Sequence, residues 1–207
     1  MSQNLSVREL AEFVCRSGDL YARAEGRRID ALDGIRAQEV LRERRKNKYT
    51  QYSSEVAFKH DFTLANEETT LSGRADGLLI TQKGCVLEEY KACGKFPVQP
   101  NQVDVGQLMI YGAMLALRSE LSITALKLIY VEADTFEEKC FSYEFDNSEL
   151  KQMLAFMLLC FDLRKKRHWH RTAERHSWLA HKKFPYPDFR FGQRALAGRV
   201  FKAVENG

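Results

Sequence analysis

Three charged residues at the ends of two neighbouring apolar segments have types and spacing that could support phosphoryl chemistry. Asp76 opens the first segment, and Glu89 and Lys91 close the second, with a polar turn at residues 81–84 between them. Residues i and i+2 of a strand share a face, so Glu89 and Lys91 should project together. A hairpin around the turn would then bring Asp76 beside them, and three charged groups would meet at one edge of a sheet.

The chemistry of such a cluster follows from its ligand types. Two adjacent carboxylates need a cation between them, and oxygen-only ligation suits Mg²⁺ or Mn²⁺. A lysine at the same place can orient a water molecule and offset charge that develops on a phosphate. The alternative interpretation is a surface ion-pair ladder at the end of a strand.

The elements that must position these residues follow from apolar periodicity. Helices are predicted from Ser6 to near Gly18, over residues 30–47, over 101–118, from 146–149 into a basic segment, and within 192–207. Strands are predicted from Tyr52, at roughly 70–80 and 84–91, and within 122–133 and 137–145. This order predicts an α/β or α+β domain with a central mixed β-sheet flanked by helices.

Composition limits the class of protein. The chain has 207 residues, 44% hydrophobic and 29% charged, which fits one ordinary globular domain with a short appendage. The longest apolar run, Leu108 to Leu117, is too short to span a bilayer, and no secretory signal is visible at the N-terminus. We therefore expect a cytoplasmic protein without membrane contact. Five widely spaced cysteines without a CxxC pair indicate reduced thiols; an iron–sulfur or zinc site would normally use closer pairs.

Basic residues are concentrated in two segments. Residues 164–183 contain eight Lys/Arg against one Glu, and residues 42–48 contain five against one, although the net charge is only +4. Such clusters are often solvated helix faces, but Trp169 and Trp178 within the longer segment favour nucleic-acid binding. The candidate phosphate contacts are Arg164, Lys165, Lys166, Arg167 and Arg171. The HWH motif at 168–170 is interpreted as surface histidines, with a metal site as the alternative.

The spacing Asp76-x12-Glu89-x-Lys91 resembles the PD-(D/E)XK nuclease superfamily, with Ala75 in the place of the optional proline. More specifically, residues 6 to about 165 resemble the RecB-type exonuclease branch, which includes nuclease subunits of bacterial recombination complexes and the CRISPR adaptation nucleases. That branch carries a glycine before the metal aspartate, matched by Gly73, and often an acid on the preceding strand, matched by Glu55.

The branch also carries Gln-x3-Tyr on a following helix, matched by Gln107 and Tyr111. Residues i and i+4 lie on one helix face, where an amide and a phenol could hold a phosphate or a base edge; an ordinary polar stripe is the alternative. The resemblance implies a restriction-endonuclease-like core. It also implies catalysis by Asp76, Glu89 and Lys91, and DNA binding by Gln107, Tyr111 and Glu55.

Two departures from the branch concern metals. The resemblance implies Mg²⁺ or Mn²⁺ held by Asp76, Glu89 and the Tyr90 carbonyl. Relatives usually add a histidine in a Gly-x3-His setting, but here Gly34 is followed by Gln38, a weaker ligand that we keep as a candidate. Some relatives also bind an iron–sulfur cluster through clustered C-terminal cysteines, which this sequence lacks, so no iron–sulfur centre is expected.

The C-terminal segment suggests a second activity nearby. Residues 184–193 and the helix after them resemble the start of a DinG/XPD-type helicase, so we place a boundary between a nuclease domain, 1–180, and a tail, 181–207. No GxxxxGK[S/T] motif is present, and we expect no ATP hydrolysis by this chain itself. It is either the nuclease domain of a longer helicase or a free-standing nuclease with a docking tail.

These patterns together predict a metal-dependent DNA nuclease that acts on single-stranded or end-bearing DNA in repair or recombination, in association with a helicase. The alternative is a catalytically weak or inactive DNA-binding module that guides a helicase. Exonuclease or endonuclease mode, cleavage polarity, the choice between DNA and RNA, and the oligomeric state do not follow from these residues.

Overall fold

The computed structural model describes residues 3–17, 30–118, 121–181, 188 and 190–205. The chain forms two units, Met1–Lys166 and Arg167–Gly207. Within the described residues the elements are β1 (Gln3–Ser6), α1 (Val7–Cys15), α2 (Ala31–Lys48), β2 (Tyr52–Leu64), β3 (Glu67–Thr81), β4 (Gly84–Cys93), α3 (Gln102–Arg118), β5 (Ile123–Glu132), β6 (Glu138–Tyr143), α4 (Asn147–Ala180) and α5 (Gln193–Glu205). The division between the two units falls within α4, and the domain boundary predicted at residue 180 stays a prediction.

The predicted fold class, an α/β domain with a mixed central sheet flanked by helices, is confirmed. Strands β2, β3 and β4 form the predicted antiparallel meander, β4 and β5 are parallel, and β6 is antiparallel to β5. Strand β1, which pairs in parallel with β3 through residues 3–6, was not predicted from the sequence. A four-residue strand with Leu5 as its one buried side chain has too little alternation to be recognised. Ser6 caps the N-terminus of α1, because its Oγ accepts a hydrogen bond from the Glu9 N–H.

Strand β3 has two different edges. β2 pairs along nearly all of one edge, from Glu67 to Leu79. The other edge is shared, because β1 covers residues 69–72 and β4 covers residues 77–81. Residues 73–76 lie between these two ladders and have no strand partner on that edge. Their backbone polar groups must therefore find side-chain partners or water.

Two tight turns hold the meander in register. β2 and β3 are joined through Ala65 and Asn66, both in the left-handed region with φ of 51° and 63°, as a two-residue hairpin requires. Asp162 of α4 accepts a hydrogen bond from the Ala65 N–H and so fixes this turn. β3 and β4 are joined at residues 82–83, and Thr81 pairs with Gly84. The sequence-predicted hairpin that carries Asp76 and Glu89 is therefore present.

The two faces of the sheet differ in how they are covered. Helices α1 and α3 and the first part of α4 form a large apolar core with one face. Nearly every residue of α3 from Gly106 to Ala116 is buried, as predicted for this apolar run. Helix α2 covers the other face with a small apolar cluster that includes Ala37, Leu41 and Tyr90. No described helix has both the length and the apolar character needed to cross a membrane.

Candidate active site

The site begins where β4 separates from β3. The last ladder pair in this direction is Gly77 with Glu88. At the next residue of β3, a side chain replaces the backbone acceptor. Asp76 Oδ2 accepts a hydrogen bond of 2.8 Å from the Tyr90 N–H. Asp76 thus lies well inside β3, which begins at Glu67, and not near the start of the strand as predicted. A carboxylate in place of a backbone acceptor holds the two strands together at the point where they diverge.

Glu89 and Lys91 lie side by side on β4, as the i, i+2 spacing predicts. Lys91 Nζ is 2.9 Å from Glu89 Oε1 and 2.9 Å from Gln107 Oε1 of α3. Gln107 Nε2 in turn donates to Glu89 Oε1 over 2.8 Å. Asp104 adds a second, more distant carboxylate, 3.8 Å from Lys91 Nζ. The Gln107 amide therefore fixes both residues: its N–H donates to Glu89, and its oxygen accepts from Lys91.

Glu89 is buried in an unusual state for a carboxylate. Its side chain is 4% exposed, and its Oε2 has no hydrogen-bond partner among the described residues. Burial raises the pKa of Glu89 to about 7, although the Lys91 ammonium acts in the opposite direction. An orphaned carboxylate oxygen in the interior is costly, so its retention is typical of a functional group rather than a structural one.

Tyr111 fills the gap along the edge of β3. Its hydroxyl accepts a hydrogen bond of 3.1 Å from the Arg74 N–H, one of the groups without a strand partner. The ring fits because residue 73 is glycine: a Cβ there would lie 2.8 Å from Tyr111 Cε1 and 2.9 Å from a Val7 methyl. Burial raises the pKa of Tyr111 to about 12, so the phenol stays neutral. Gly73 and Tyr111, which the sequence analysis placed in separate motifs, thus form one contact.

Arg42 of α2 is the site residue that the sequence analysis missed. Its guanidinium bridges two carboxylates, with 2.8 Å from Nη2 to Asp76 Oδ1 and 3.0 Å from Nη1 to Glu55 Oε1. Glu55 falls between the β2–β3 pairs Ser54–Gly77 and Val56–Ala75 and has φ of 55°, a strained value for a non-glycine residue within a strand. One signal was present in the sequence, because Gln38 and Arg42 are four residues apart and share a face of α2.

Gln38 also reaches the site. Its Nε2 donates to the Tyr90 carbonyl oxygen over 3.2 Å. A half-turn of the amide would instead point its oxygen at that carbonyl, an arrangement that needs a cation between the two oxygens. The prediction that Gln38 is a metal ligand is compatible with this position but stays a prediction.

The donors at this place fit a hard divalent cation. They are all oxygens, namely the orphaned Oε2 of Glu89, the Asp76 carboxylate and the Tyr90 carbonyl. Within the described part of the chain, no three His, Cys, Asp or Glu side chains cluster as a metal site. A cation held here would therefore depend on two carboxylates, a backbone carbonyl and water, as the sequence-based ligand set implies.

The opposite face of β4 anchors α2. Glu88 is buried and accepts hydrogen bonds from the Tyr90 hydroxyl (2.6 Å) and from Arg45 Nε (3.2 Å). The Tyr52 hydroxyl lies 2.6 Å from that of Tyr90, and Arg45 also pairs with Glu138 of β6. Helix α2 has few buried apolar residues, so these polar contacts position it and, with it, Gln38 and Arg42.

The basic residues of α4 have different surroundings. Arg164 lies over the Phe13 ring, Lys165 contacts Gln3 and Glu67, and Lys166 pairs with Asp162. Arg167 and Arg171 belong to the second unit and are exposed. The prediction that all five bind DNA remains to be tested, and the last two have the most accessible charges.

Comparisons with known proteins give a fold and no family. No protein-family model matches the sequence, and no curated protein matches it. The crystal structure of SSO0001 is similar with a TM-score of 0.50, 16% identity and coverage of 76% of either chain. Two structures of an alkaline exonuclease (LHK-Exo), the first described as from Laribacter hongkongensis and the second in complex with dAMP, have TM-scores of 0.47 and 0.49. They are 13% and 14% identical, and cover 83% and 82% of this chain and 94% and 93% of theirs.

At 16% identity the likeness to SSO0001 is one of fold alone. The assignment to nucleases therefore depends on the chemistry of the site.

A stability measurement tests whether Glu89 is retained for function. In chelator at pH 8, Glu89→Gln should raise the free energy of unfolding by about 1–3 kcal/mol, because it removes a buried charge with an unsatisfied oxygen. Urea unfolding measures the change, and Glu68→Gln, at an exposed position of β3, should stay within about 0.5 kcal/mol of the parent. A loss of stability in Glu89→Gln would show instead that the Glu89–Lys91 pair is structural.

Proposed function

We propose that the protein is a metal-dependent DNA nuclease of the PD-(D/E)XK superfamily, RecB type, which hydrolyses phosphodiester bonds in single-stranded or end-bearing DNA. One observation carries the proposal. The buried Glu89 carboxylate has an oxygen without a partner, while its other oxygen is held by Lys91 and Gln107. An acid and a lysine held together beside a second acid, Asp76, can hold a divalent cation and stabilise the charge that develops on a phosphate during phosphodiester hydrolysis.

The proposed metal ligands are Asp76, Glu89 Oε2 and the Tyr90 carbonyl, with Gln38 as a further candidate. When bound, Mg²⁺ or Mn²⁺ supplies Lewis-acid stabilisation of the negative charge on the phosphate. The protein contributes a fixed set of oxygens. Asp76 is held by the Tyr90 N–H, and Glu89 is held by Gln107 with its Oε2 left without a partner, so the Glu89 ligand needs little rearrangement.

Lys91 is proposed to act on the attacking water. Its ammonium has three donors, two of which are directed at Glu89 and Gln107, so one remains for a water or a phosphate oxygen. The water oxygen forms a bond to phosphorus while the bond to the leaving ester oxygen breaks, and the proton that the water loses is balanced by protonation of the leaving oxygen. Lys91 orients the water and offsets the charge that grows on the phosphate.

Gln107, Tyr111 and Glu55 are proposed to orient the DNA strand. Gln107 and Tyr111 are buried and make their described hydrogen bonds within the protein, so their effect on DNA would pass through Lys91 and through the β3 edge at Arg74. Glu55 lies beside an open groove of about 590 Å³ between α2 and β2, next to Arg42. We propose this groove as the approach for the strand.

The second candidate function is a catalytically weak or inactive DNA-binding module. Two observations favour it, the ion pair between Arg42 and Asp76 and the presence of glutamine at position 38. Both would weaken metal binding in the free protein. Association with a helicase, a role in repair and a cytoplasmic location are further proposals that come from the sequence alone, and most of residues 182–189 lies outside the described part of the chain.

A nuclease assay separates the two functions. With Mn²⁺ or Mg²⁺, the wild-type protein should cleave single-stranded DNA, and Lys91→Ala should reduce the rate about 100- to 1,000-fold because it removes the group that stabilises developing charge. Lys83→Ala, in the exposed turn of the same hairpin, should cleave at the wild-type rate, and chelator should stop all cleavage. Equal rates for the wild-type protein and Lys91→Ala would point to a contaminant and exclude the nuclease.

A salt titration tests the exposed arginines of the second unit. Each phosphate neutralised on single-stranded DNA contributes about 0.7 to the slope of log affinity against log salt, so Arg167→Ala with Arg171→Ala should flatten the slope by about 1.4. Fluorescence anisotropy with a labelled oligonucleotide measures it. Lys59→Ala with Lys83→Ala removes two exposed charges from the meander and should leave the slope unchanged. An unaltered slope in the arginine variant would remove both arginines from the DNA interface.

A further inference from the structure

Arg42 occupies a position that a metal site does not ordinarily give to a cation. Its Nη2 lies on Asp76 Oδ1, and the Tyr90 N–H lies on Asp76 Oδ2, so both oxygens of this proposed ligand already have a partner. The Arg42 side chain is only 18% exposed, and its Nε is buried without a partner among the described residues. The two Nη groups of the guanidinium are therefore held by Asp76 and Glu55, while its Nε–H makes no described hydrogen bond.

This geometry has an electrostatic consequence. A divalent cation on Asp76 would share that carboxylate with a guanidinium at hydrogen-bond distance, and the two positive charges repel. Glu55 pairs with Nη1 of Arg42, but its side chain is 38% exposed. Water therefore screens this ion pair, and it offsets little of the Arg42 charge. In the DNA-free protein, Arg42 must therefore weaken metal binding relative to the same site without its charge.

A phosphate changes this balance. Guanidinium groups bind phosphate oxygens through two parallel hydrogen bonds, and a phosphodiester at this site would offer such oxygens. Arg42 and Glu55 line the open groove between α2 and β2, which gives a phosphate access to the guanidinium. Transfer of Arg42 from Asp76 to the phosphate would release one carboxylate oxygen for the cation.

We propose that Arg42 couples metal binding to DNA binding: it neutralises Asp76 in the free protein and exchanges that carboxylate for the phosphate of the bound strand. Metal and DNA then bind with positive cooperativity, and by linkage each increases the affinity of the other by the same factor. The inference rests on the proposed function and adds to it a residue that limits loading of the metal in the absence of substrate.

A role of Arg42 in folding alone would leave no such coupling. Helix α2 has other anchors, namely the Arg45 contacts to Glu88 and Glu138 and the Gln38 contact to Tyr90. Loss of Arg42 should therefore leave α2 in place. The coupling factor between metal and DNA is a quantity that a purely structural arginine does not change.

The experiment measures Mn²⁺ affinity by calorimetry with and without a short single-stranded oligonucleotide, in the Lys91→Ala background, where DNA cleavage should be too slow to alter the titration. Titration of the oligonucleotide alone is subtracted. Without DNA, Arg42→Gln should bind Mn²⁺ at least tenfold more tightly than its parent. The oligonucleotide should tighten Mn²⁺ binding at least tenfold in the parent and less than threefold in Arg42→Gln. Anisotropy at fixed Mn²⁺ concentrations should give the same factors for DNA.

Three further variants make the result interpretable. Arg42→Met is a second neutral replacement of similar length, for use if Arg42→Gln unfolds. Arg42→Lys keeps the charge and should stay within threefold of the parent without DNA. Lys83→Gln removes an exposed charge in the turn between β3 and β4, outside the groove between α2 and β2, and should match the parent in both conditions.

The outcomes separate this inference from the function on which it rests. Equal Mn²⁺ affinities in the parent and both neutral variants, or an unchanged coupling factor, would overturn the role of Arg42 while leaving the nuclease intact. Absence of Mn²⁺ binding in the parent and in both neutral variants would overturn the proposed metal site and, with it, this inference.

Discussion

The hydrogen bond from the Tyr90 N–H to the Asp76 carboxylate is the contact on which the rest of the site depends. It stands where the β3–β4 ladder ends at Gly77 and Glu88, and it replaces the next backbone pairing with a side chain. The strands can therefore separate without leaving the Tyr90 N–H unsatisfied. Gln38 reaches the Tyr90 carbonyl from α2, and Glu89 is held by Gln107 on the side of α3. The three proposed ligands are thus next to the residues at which the ladder stops.

The two helices beside the site are held in different ways, and this difference fits their roles. Helix α3 is buried along most of its length and presents Gln107 from a rigid apolar core, which keeps Glu89 and Lys91 in fixed geometry. Helix α2 is held on the sheet largely by polar contacts. Its Arg42 pairs with Glu55 and Asp76, and we propose that it exchanges Asp76 for a phosphate. A site with a rigid acid–lysine pair and an exchangeable arginine can keep its catalytic groups ready while its charge balance responds to a ligand.

Local pattern was sufficient for the part of the site carried by one hairpin. Glu89 and Lys91 are two residues apart on one strand, and the short turn brings Asp76 close, so strand periodicity alone predicted their convergence. The contact of Arg42 with Asp76 spans 34 positions and joins separate elements, and the basic run that contains Arg42 has the same composition as a solvated helix face. Strand β1 was missed because its pairing with β3 is also long-range and its four residues carry little pattern of their own.

The central claim is that Glu89 Oε2, Asp76 and the Tyr90 carbonyl together bind a divalent cation. Anomalous scattering from crystals soaked at high Mn²⁺ concentration tests it most directly, because the signal identifies manganese without reference to activity. The account predicts one strong manganese site in contact with all three groups and no such site in Glu89→Gln crystals. Manganese bound only elsewhere, for example at the histidines of residues 168–170, with none beside Glu89 would contradict it.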